Sequence, residues 1–245
     1  MLQSIKQLYG NRLRASDGDI GEVKDFYFDD QNLAIRYVVA DTGHWLRGRQ
    51  VLLSPHAFGG RDSAAKVMLV NLSRKQIEES PAVEAHKPVS RQYEEEYHRY
   101  YGWPYYWKGD GLWGGLRGSP VLEVPYDFFP PKLPVADPKL KDPDVNLRST
   151  QAVSGYHLQA TDGIFGHVSD FLMDDKTWAI NQLVVKIGHR LTGKEVQIPM
   201  SQVERISYKE STVYVKLNRE AVENSPEHRL VPDSGVIPAS ALSIR

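Results

Sequence analysis

The acidic side chains are the first place to look for chemistry. Asp25, Asp29 and Asp30 stand close together in "DGDIGEVKDFYFDD" (Asp17–Asp30), and the same spacing returns as Asp170, Asp174 and Asp175 in "DGIFGHVSDFLMDD" (Asp162–Asp175). Carboxylates so placed offer the oxygen ligands that Ca²⁺ or Mg²⁺ take. No loop with EF-hand spacing follows either set. Asp29-Asp30 and Asp174-Asp175 fall at strand ends, where Asp bonds to the backbone of its own turn. The structural reading is preferred: Gly21, Asp25, Asp29, Gly166, Asp170 and Asp174 are expected to shape the backbone, and no metal is assigned. His44 and His189 also repeat, and they form one site only if the two segments face each other. His56, His86, His98, His157, His167 and His228 lack zinc-ligand spacing. "GDGLWGG" (109–115) is rich in Gly but has neither the lysine nor the helix start of a phosphate loop. No nucleophile elbow and no dinucleotide fingerprint occurs. The 245 residues include no cysteine, so thiolate chemistry and disulfides are excluded. A non-enzyme is expected, with no catalytic residue and no cofactor.

The elements that hold these acids are written twice. At an offset of 145 positions, Asp17–Leu53 and Asp162–Ile198 share 16 identities in 37 positions without a gap. The register persists to Ser80-Pro81 and Ser225-Pro226. So long a period means two copies of a complete small domain and not a solenoid. Each copy reads as short strands. Gly21–Asp29 and Gly166–Asp174 carry the Val, Phe, Tyr and Leu that suit a pleated, half-buried surface. A turn then leads to a strand in which Ile35, Tyr37 and Val39 alternate with Ala34, Arg36 and Val38. Gly43 and Gly48, like Gly188 and Gly193, bracket a loop. Val51 and Leu53 mark a third strand, and Met68, Val70 and Leu72 a fourth. Ser73 and Asn218 stand as N-caps of a short helix that ends at the Ser-Pro pairs. In the repeated phrase the alternation slips: Val23 is out of step with Phe26 and Phe28, and Val168 with Phe171 and Met173. Because strand side chains alternate faces, the slip calls for a β-bulge at Lys24-Asp25 and at Ser169-Asp170. The expected fold class is mainly β: two small barrels of five or six mainly antiparallel strands, joined by a Pro- and aromatic-rich segment with short helices. Closure into a barrel removes exposed strand edges.

The second copy, with Gly163, Gly166, Val168, Asp170, Asp174, Ile198-Pro199-Met200 and Val203, resembles the PRC-barrel domain, the family of the cytoplasmic domain of the photosynthetic reaction centre H subunit. The first copy is similar at Gly18, Gly21, Val23, Asp25 and Asp29, with Ser54-Pro55 in place of the Pro-Met pair. The resemblance covers about 5–81 and 150–226. It implies a PRC-type barrel in each copy and a role as an interaction or assembly module. The family also includes the C-terminal domain of a ribosome maturation factor, which implies an alternative as an RNA- or ribosome-associated assembly factor.

The segments are therefore 1–81 (first copy), 82–149 (connector), 150–230 (second copy) and 231–245 (tail). The connector region holds 10 of 15 prolines, counted from Pro81 to Pro143, and three of five tryptophans. "VSRQYEEEYHRYYGWPYYW" (Val89–Trp107) predicts a helix capped by Ser90 and ended by Gly102 and Pro104, with Tyr93, Tyr97 and Tyr100 or Tyr101 on one face. Burial of that face on a barrel is the first reading. The sharper one makes Tyr93, Tyr97, Tyr100, Tyr101, Trp103, Tyr105, Tyr106 and Trp107 a patch for a partner, since Tyr and Trp dominate interface hot spots. The Glu94-Glu95-Glu96 run argues against a membrane-surface helix. "PPKLPVADPKLKDPD" (130–144) reads as an extended linker.

Net charge is −1, from 30 basic and 31 acidic side chains, which argues against a nucleic-acid footprint. No run of about 18 apolar residues occurs, so no spanning helix is expected. The N-terminus lacks a signal-peptide core, and the expected location is the cytoplasm. The partner expected is another protein, with a homo-oligomer and peripheral association with a membrane complex compatible, DNA excluded and RNA disfavoured.

Overall fold

The computed structural model describes residues 1–81, 89–107, 112–113, 147–188 and 193–229. His86, His189, most of "GDGLWGG", the linker 130–144 and the tail 231–245 lie outside the described residues. Strands β1 (Leu2–Ser4), β2 (Arg12–Ala15), β3 (Gly18–Asp29), β4 (Ala34–Asp41), β5 (Gln50–Leu53), β6 (Phe58–Asp62) and β7 (Val67–Val70) are followed by helices α1 (Arg74–Glu78) and α2 (Arg91–Tyr101). Then come β8 (Leu147–Ser149), α3 (Thr150–Val153), β9 (His157–Ala160), β10 (Gly163–Asp174), β11 (Ile180–Ile187), β12 (Lys194–Pro199), β13 (Val203–Ser207), β14 (Thr212–Val215) and α4 (Arg219–Glu223). The two copies have the same sheet order, β5-β4-β3-β2-β7-β6 and β12-β11-β10-β9-β14-β13. Pairings within each copy are antiparallel except β2 with β7 and β9 with β14. The fold is mainly β, two barrel-like sheets of seven strands each, the seventh lying beside β3 or β10. The helix caps fall where expected: Ser73 closes a capping box with Gln76 on α1, and the Asn218 side chain accepts the Ala221 N–H on α4. No helix of the described residues is long and apolar enough to cross a membrane.

The seventh strand comes from the other copy. β3 is twelve residues long, but β2 pairs only with Gly18–Glu22. Its far half, Tyr27–Asp29, pairs with β8, the strand that leads into the second copy. In the mirror arrangement β1, which leads into the first copy, pairs with Leu172–Asp174 of β10. The registers are equivalent under the 145-residue offset: Leu147↔Asp29 answers Leu2↔Asp174, and Ser149↔Tyr27 answers Ser4↔Leu172. Each copy thus lends an arm to its sister, and sheet membership crosses the limits of segments 1–81 and 82–149. The exchange follows from strand length, because a long strand left half unpaired exposes a row of N–H and C=O groups. An antiparallel bridge between Ala34 and Ala179, equivalent positions, marks the local two-fold. There Ile35 N–H donates to Trp178 C=O (2.9 Å) and Ile180 N–H to Leu33 C=O (2.7 Å). One apolar core runs through both copies, with Phe28 and Phe171 rings 5.5 Å apart.

The expected bulges are present. The β3–β4 register shifts between Val23 and Asp25, and the β10–β11 register between Val168 and Asp170, which puts Val23, Phe26 and Phe28 all in the core. Each aspartate bonds to its own bulge and to the visiting arm. Asp25 accepts the Phe26 N–H (2.7 Å), the Ser149 hydroxyl (2.5 Å), the Thr150 hydroxyl (3.0 Å) and the Gln151 N–H (3.2 Å). Asp170 accepts the Phe171 N–H (2.7 Å), the Ser4 hydroxyl (2.5 Å) and the Lys6 N–H (2.9 Å). Burial pushes both carboxyl pKa values up, and these donors oppose the shift. Gly21 and Gly166 answer a separate need. A Cβ on Gly21, at φ 127°, would fall 1.9 Å from the Asp41 carbonyl oxygen, and one on Gly166, at φ 92°, 2.5 Å from that of Lys186.

The expected alternation of Ile35, Tyr37 and Val39 on one face is corrected. Ile35 lies in the core with Val38 and Ala40, whereas Tyr37 and Val39 lie in a separate cluster on the outside of the sheet. A second register shift between Tyr27 and Phe28 leaves Arg36 as the extra residue of β4, and Asn181 takes the same place in β11. A bulge there turns the strand over after Ile35. Strands β1, β2, β6, β8, β9 and β13 and helix α3 had no sequence expectation.

Asp25→Ala and Asp170→Ala should each lower the unfolding free energy of the full chain by about 1–3 kcal/mol, because each leaves buried donors on both the bulge and the arm without an acceptor. Urea denaturation checks this, and midpoints equal to that of the native chain in both variants would refute the aspartate clasp.

Candidate functional site

The two sheets differ on their outer faces. On the first copy that face presents Tyr37, Val39 and Leu52; the equivalent positions of the second copy are Gln182, Val184 and Gln197. β4 is accordingly buried on both sides, and α2 covers it. The helix starts at Ser90, whose side chain accepts the Tyr93 N–H, and ends at Gly102 in the left-handed region (φ 69°). Its aromatic stripe faces the sheet. Tyr97 is fully buried; its hydroxyl donates to Leu52 C=O (2.9 Å) and accepts the Ser54 N–H (3.0 Å). Tyr93 and Tyr101 flank it at ring distances of 5.9 and 4.9 Å. The Tyr93 hydroxyl donates to Pro81 C=O, and the Tyr100 hydroxyl to Gln76 C=O (2.9 Å). The helix is thereby tied to the first copy by phenols as well as by apolar contact.

Beneath the stripe lies a buried polar network. Glu94, the first residue of the acidic run, is fully buried. Its carboxylate accepts the Tyr37 hydroxyl (2.9 Å) and the Tyr106 hydroxyl (2.5 Å) and pairs with the Arg91 guanidinium (3.1 Å). Arg91, Glu94 and His98 stand three and four residues apart and so share a helix face. His98 Nδ1 lies 2.8 Å from Pro104 C=O, so that nitrogen carries the hydrogen, and Nε2 lies 3.2 Å from the Tyr37 hydroxyl. The bulge residue Arg36 sits beside this network. It pairs with Asp29 (3.1 Å) and places its guanidinium 4.0 Å from the Tyr106 ring centre and 5.0 Å from that of Trp113. Burial pushes the Asp29 carboxyl up, but Asn32, Gln31 and Arg36 outweigh it and hold the carboxyl below its usual value. Asp174, its counterpart, has no such arginine; it caps its own turn through Thr177 and Lys176 and meets the N-terminal ammonium at 3.2 Å.

The structure thus joins two sets that looked separate in the sequence: Asp29 from the repeated acids and Tyr106 from the connector meet through Arg36. It divides the eight aromatic residues. Tyr97 and Tyr106 are buried within the chain, whereas Tyr93, Tyr100, Tyr101, Trp103, Tyr105 and Trp107 are half-buried. Trp103 stacks on Tyr101 (4.4 Å, 13°) and Trp107 leans on Tyr105 (4.9 Å), forming a ledge past the end of α2. Sequence reasoning missed Arg36, Glu94 and His98. The available clue was "AIRYVVAD", whose nearly unbroken apolar run signals a strand covered on both faces, where a charged residue needs a partner. Among the described residues no group of three or more His, Asp and Glu side chains is placed to hold a metal ion. The network is sealed by its own side chains, and its chemistry is to lock α2 and the ledge onto the sheet.

Residues 4–77 match the model of the PRC-barrel domain. The match covers the first copy; the second copy shares with it the registered repeat and the sheet order. No curated protein matches the chain.

Burial lowers the His98 pKa to about 4. As pH falls below 6.5 the unfolded chain takes up a proton on this ring that the folded chain refuses until about pH 4. His98 therefore costs stability progressively over that window, on the order of 1 kcal/mol per pH unit. His98→Asn keeps a donor for Pro104 but cannot titrate. The loss of unfolding free energy between pH 6.5 and 5.5 should be smaller in this variant, and equal losses in both proteins would overturn the assignment.

Proposed function

We propose that this chain, whose first copy is a PRC-barrel domain, works without catalysis as a protein-interaction module in the assembly of a larger complex, and that its partner docks on the aromatic ledge of Trp103, Tyr105 and Trp107, with Tyr100 alongside. The observation that carries the reading is the one-sided outer face. Two copies with one sheet order differ in that the first bears Tyr37, Val39 and Leu52 under an aromatic helix, where the second has Gln182, Val184 and Gln197. Tyr93, Tyr97, Tyr101 and Trp103 pack on the sheet. The half-buried Trp and Tyr rings past Gly102 remain as rigid, amphipathic contact area of the kind that anchors interfaces. PRC-barrel kinship supports the same role. A place beside a membrane complex, like that of the reaction centre H subunit's cytoplasmic domain, and a cytoplasmic location form part of the proposal.

The full chain immobilised in native lysate should retain a protein that Trp103→Ala/Trp107→Ala releases, with apparent affinity down at least roughly 30-fold for the loss of one hot spot of about 2 kcal/mol. Retention insensitive to the double substitution would refute the ledge. Binding removed by nuclease and falling steeply with salt would replace this reading with the RNA-linked one.

A further inference from the structure

A hollow of about 310 Å³ opens in the first copy between the turn that follows β1 and the β6–β7 hairpin, lined by Lys6, Gln7, Tyr9, Asn11, Ser63 and Lys66. Its lining includes two ammonium groups and no carboxylate. Neither lysine forms an ion pair with a described residue. Asn11 is only 2% exposed, yet its side-chain amide makes no hydrogen bond to a described residue, and the Ser63 hydroxyl is in the same state at 9% exposure. Neither the amide nor the hydroxyl is a buried orphan: both open to the hollow, where water or a ligand reaches them. The nearby acids are already engaged: Asp170 by Ser4, Lys6 N–H and Phe171 N–H, Asp25 by Ser149 and Thr150, and Asp62 by Ala65 N–H.

The second copy supplies an internal comparison. Under the 145-residue offset, Lys6, Asn11, Ser63 and Lys66 correspond to Gln151, Tyr156, Tyr208 and Ser211. There the two tyrosine rings stand 6.1 Å apart at 69°, with Tyr156 buried. One fold position thus carries a buried and an exposed tyrosine, with the Arg148 guanidinium 5.7 Å from the exposed ring, in one copy, and is lined by Tyr9, two neutral donors and two lysines in the other. Packing of the shared core does not require the difference, since Asn and Ser add less buried apolar surface than two tyrosines.

We propose that this hollow binds a small phosphate-bearing molecule, with Lys6 and Lys66 supplying charge and Asn11 and Ser63 supplying directed hydrogen bonds. The volume falls at the small end of the range for metabolite sites. Lysines serve as point charges for phosphate, and neutral donors fix its orientation. At about pH 7.5 a phosphate monoester is largely the dianion, which two lysines match.

The test titrates inorganic phosphate, then acetate, into the full chain at constant ionic strength and about pH 7.5, following the Asn11 side-chain amide by NMR and the melting temperature. Saturable binding of phosphate at millimolar concentration is expected, with a far weaker response to acetate. Lys66→Gln, at an exposed turn, should weaken binding at least roughly five-fold, the loss expected for one charge-assisted contact. Asn11→Tyr, which installs the residue of the second copy, should abolish binding; its fold is checked by an unchanged far-ultraviolet spectrum. Equal responses to phosphate and acetate, or phosphate binding that survives both substitutions, would overturn the proposal. If Asn11→Tyr fails to fold, Lys66→Gln alone decides: an unchanged affinity there overturns it.

Discussion

Everything in this molecule hangs on a strand that is longer than its own copy can pair. β3 and β10 run twelve residues each, and in each copy the preceding strand covers only the first half. The open half is completed by an arm from the sister copy. An unpaired half-strand would be both costly and sticky, so neither copy is complete without the other. The bulge adds the specificity. By inserting Lys24 or Ser169 it turns Asp25 or Asp170 toward the visiting arm, where serine and backbone donors meet the carboxylate. The donors differ in detail, with Thr150 adding a bond that Ile5 cannot supply, while the plan is the same.

On that symmetric frame the two copies have diverged in separate places. The outer face of the first became apolar and aromatic and acquired α2. The presence of Arg36 at the β4 bulge, where the second copy has Asn181, brought a guanidinium into a buried position beside Asp29, the Leu112 carbonyl and the Tyr106 ring. Glu94 and Arg91 pair beside it. A buried pair of this kind adds little net stability against an apolar alternative but penalises any other placement of the helix. The second copy has Gln182, Val184 and Gln197 on the equivalent face, and Tyr156 and Tyr208 where the first has Asn11 and Ser63.

These differences share one logic. Positions that touch the inter-copy core or the arms are held similar by packing, since the core is one continuous body across both copies. Positions that face outward were free to change. The aromatic ledge and the lysine-lined hollow both lie on the side of the first copy.

The sequence by itself determined the duplication, the β class, the helix caps and the bulge at Asp25 and Asp170. These rest on local rules: offset identity, strand alternation, and the side-chain oxygen of a cap residue meeting an N–H three positions on. It also marked Gly21 and Gly166, whose carbonyl neighbours leave no room for a Cβ. Only the tertiary structure decided which copy each arm completes. Leu2–Ser4 and Leu147–Ser149 are too short to announce themselves as strands, and the partner of a strand is chosen by an edge far away in sequence. The burial of Glu94 and Arg36 was decided the same way. A charge in a helix or strand reads as solvated until the element opposite it is known, and here that element brings the Tyr37, Asp29 and Tyr106 groups that make burial tolerable.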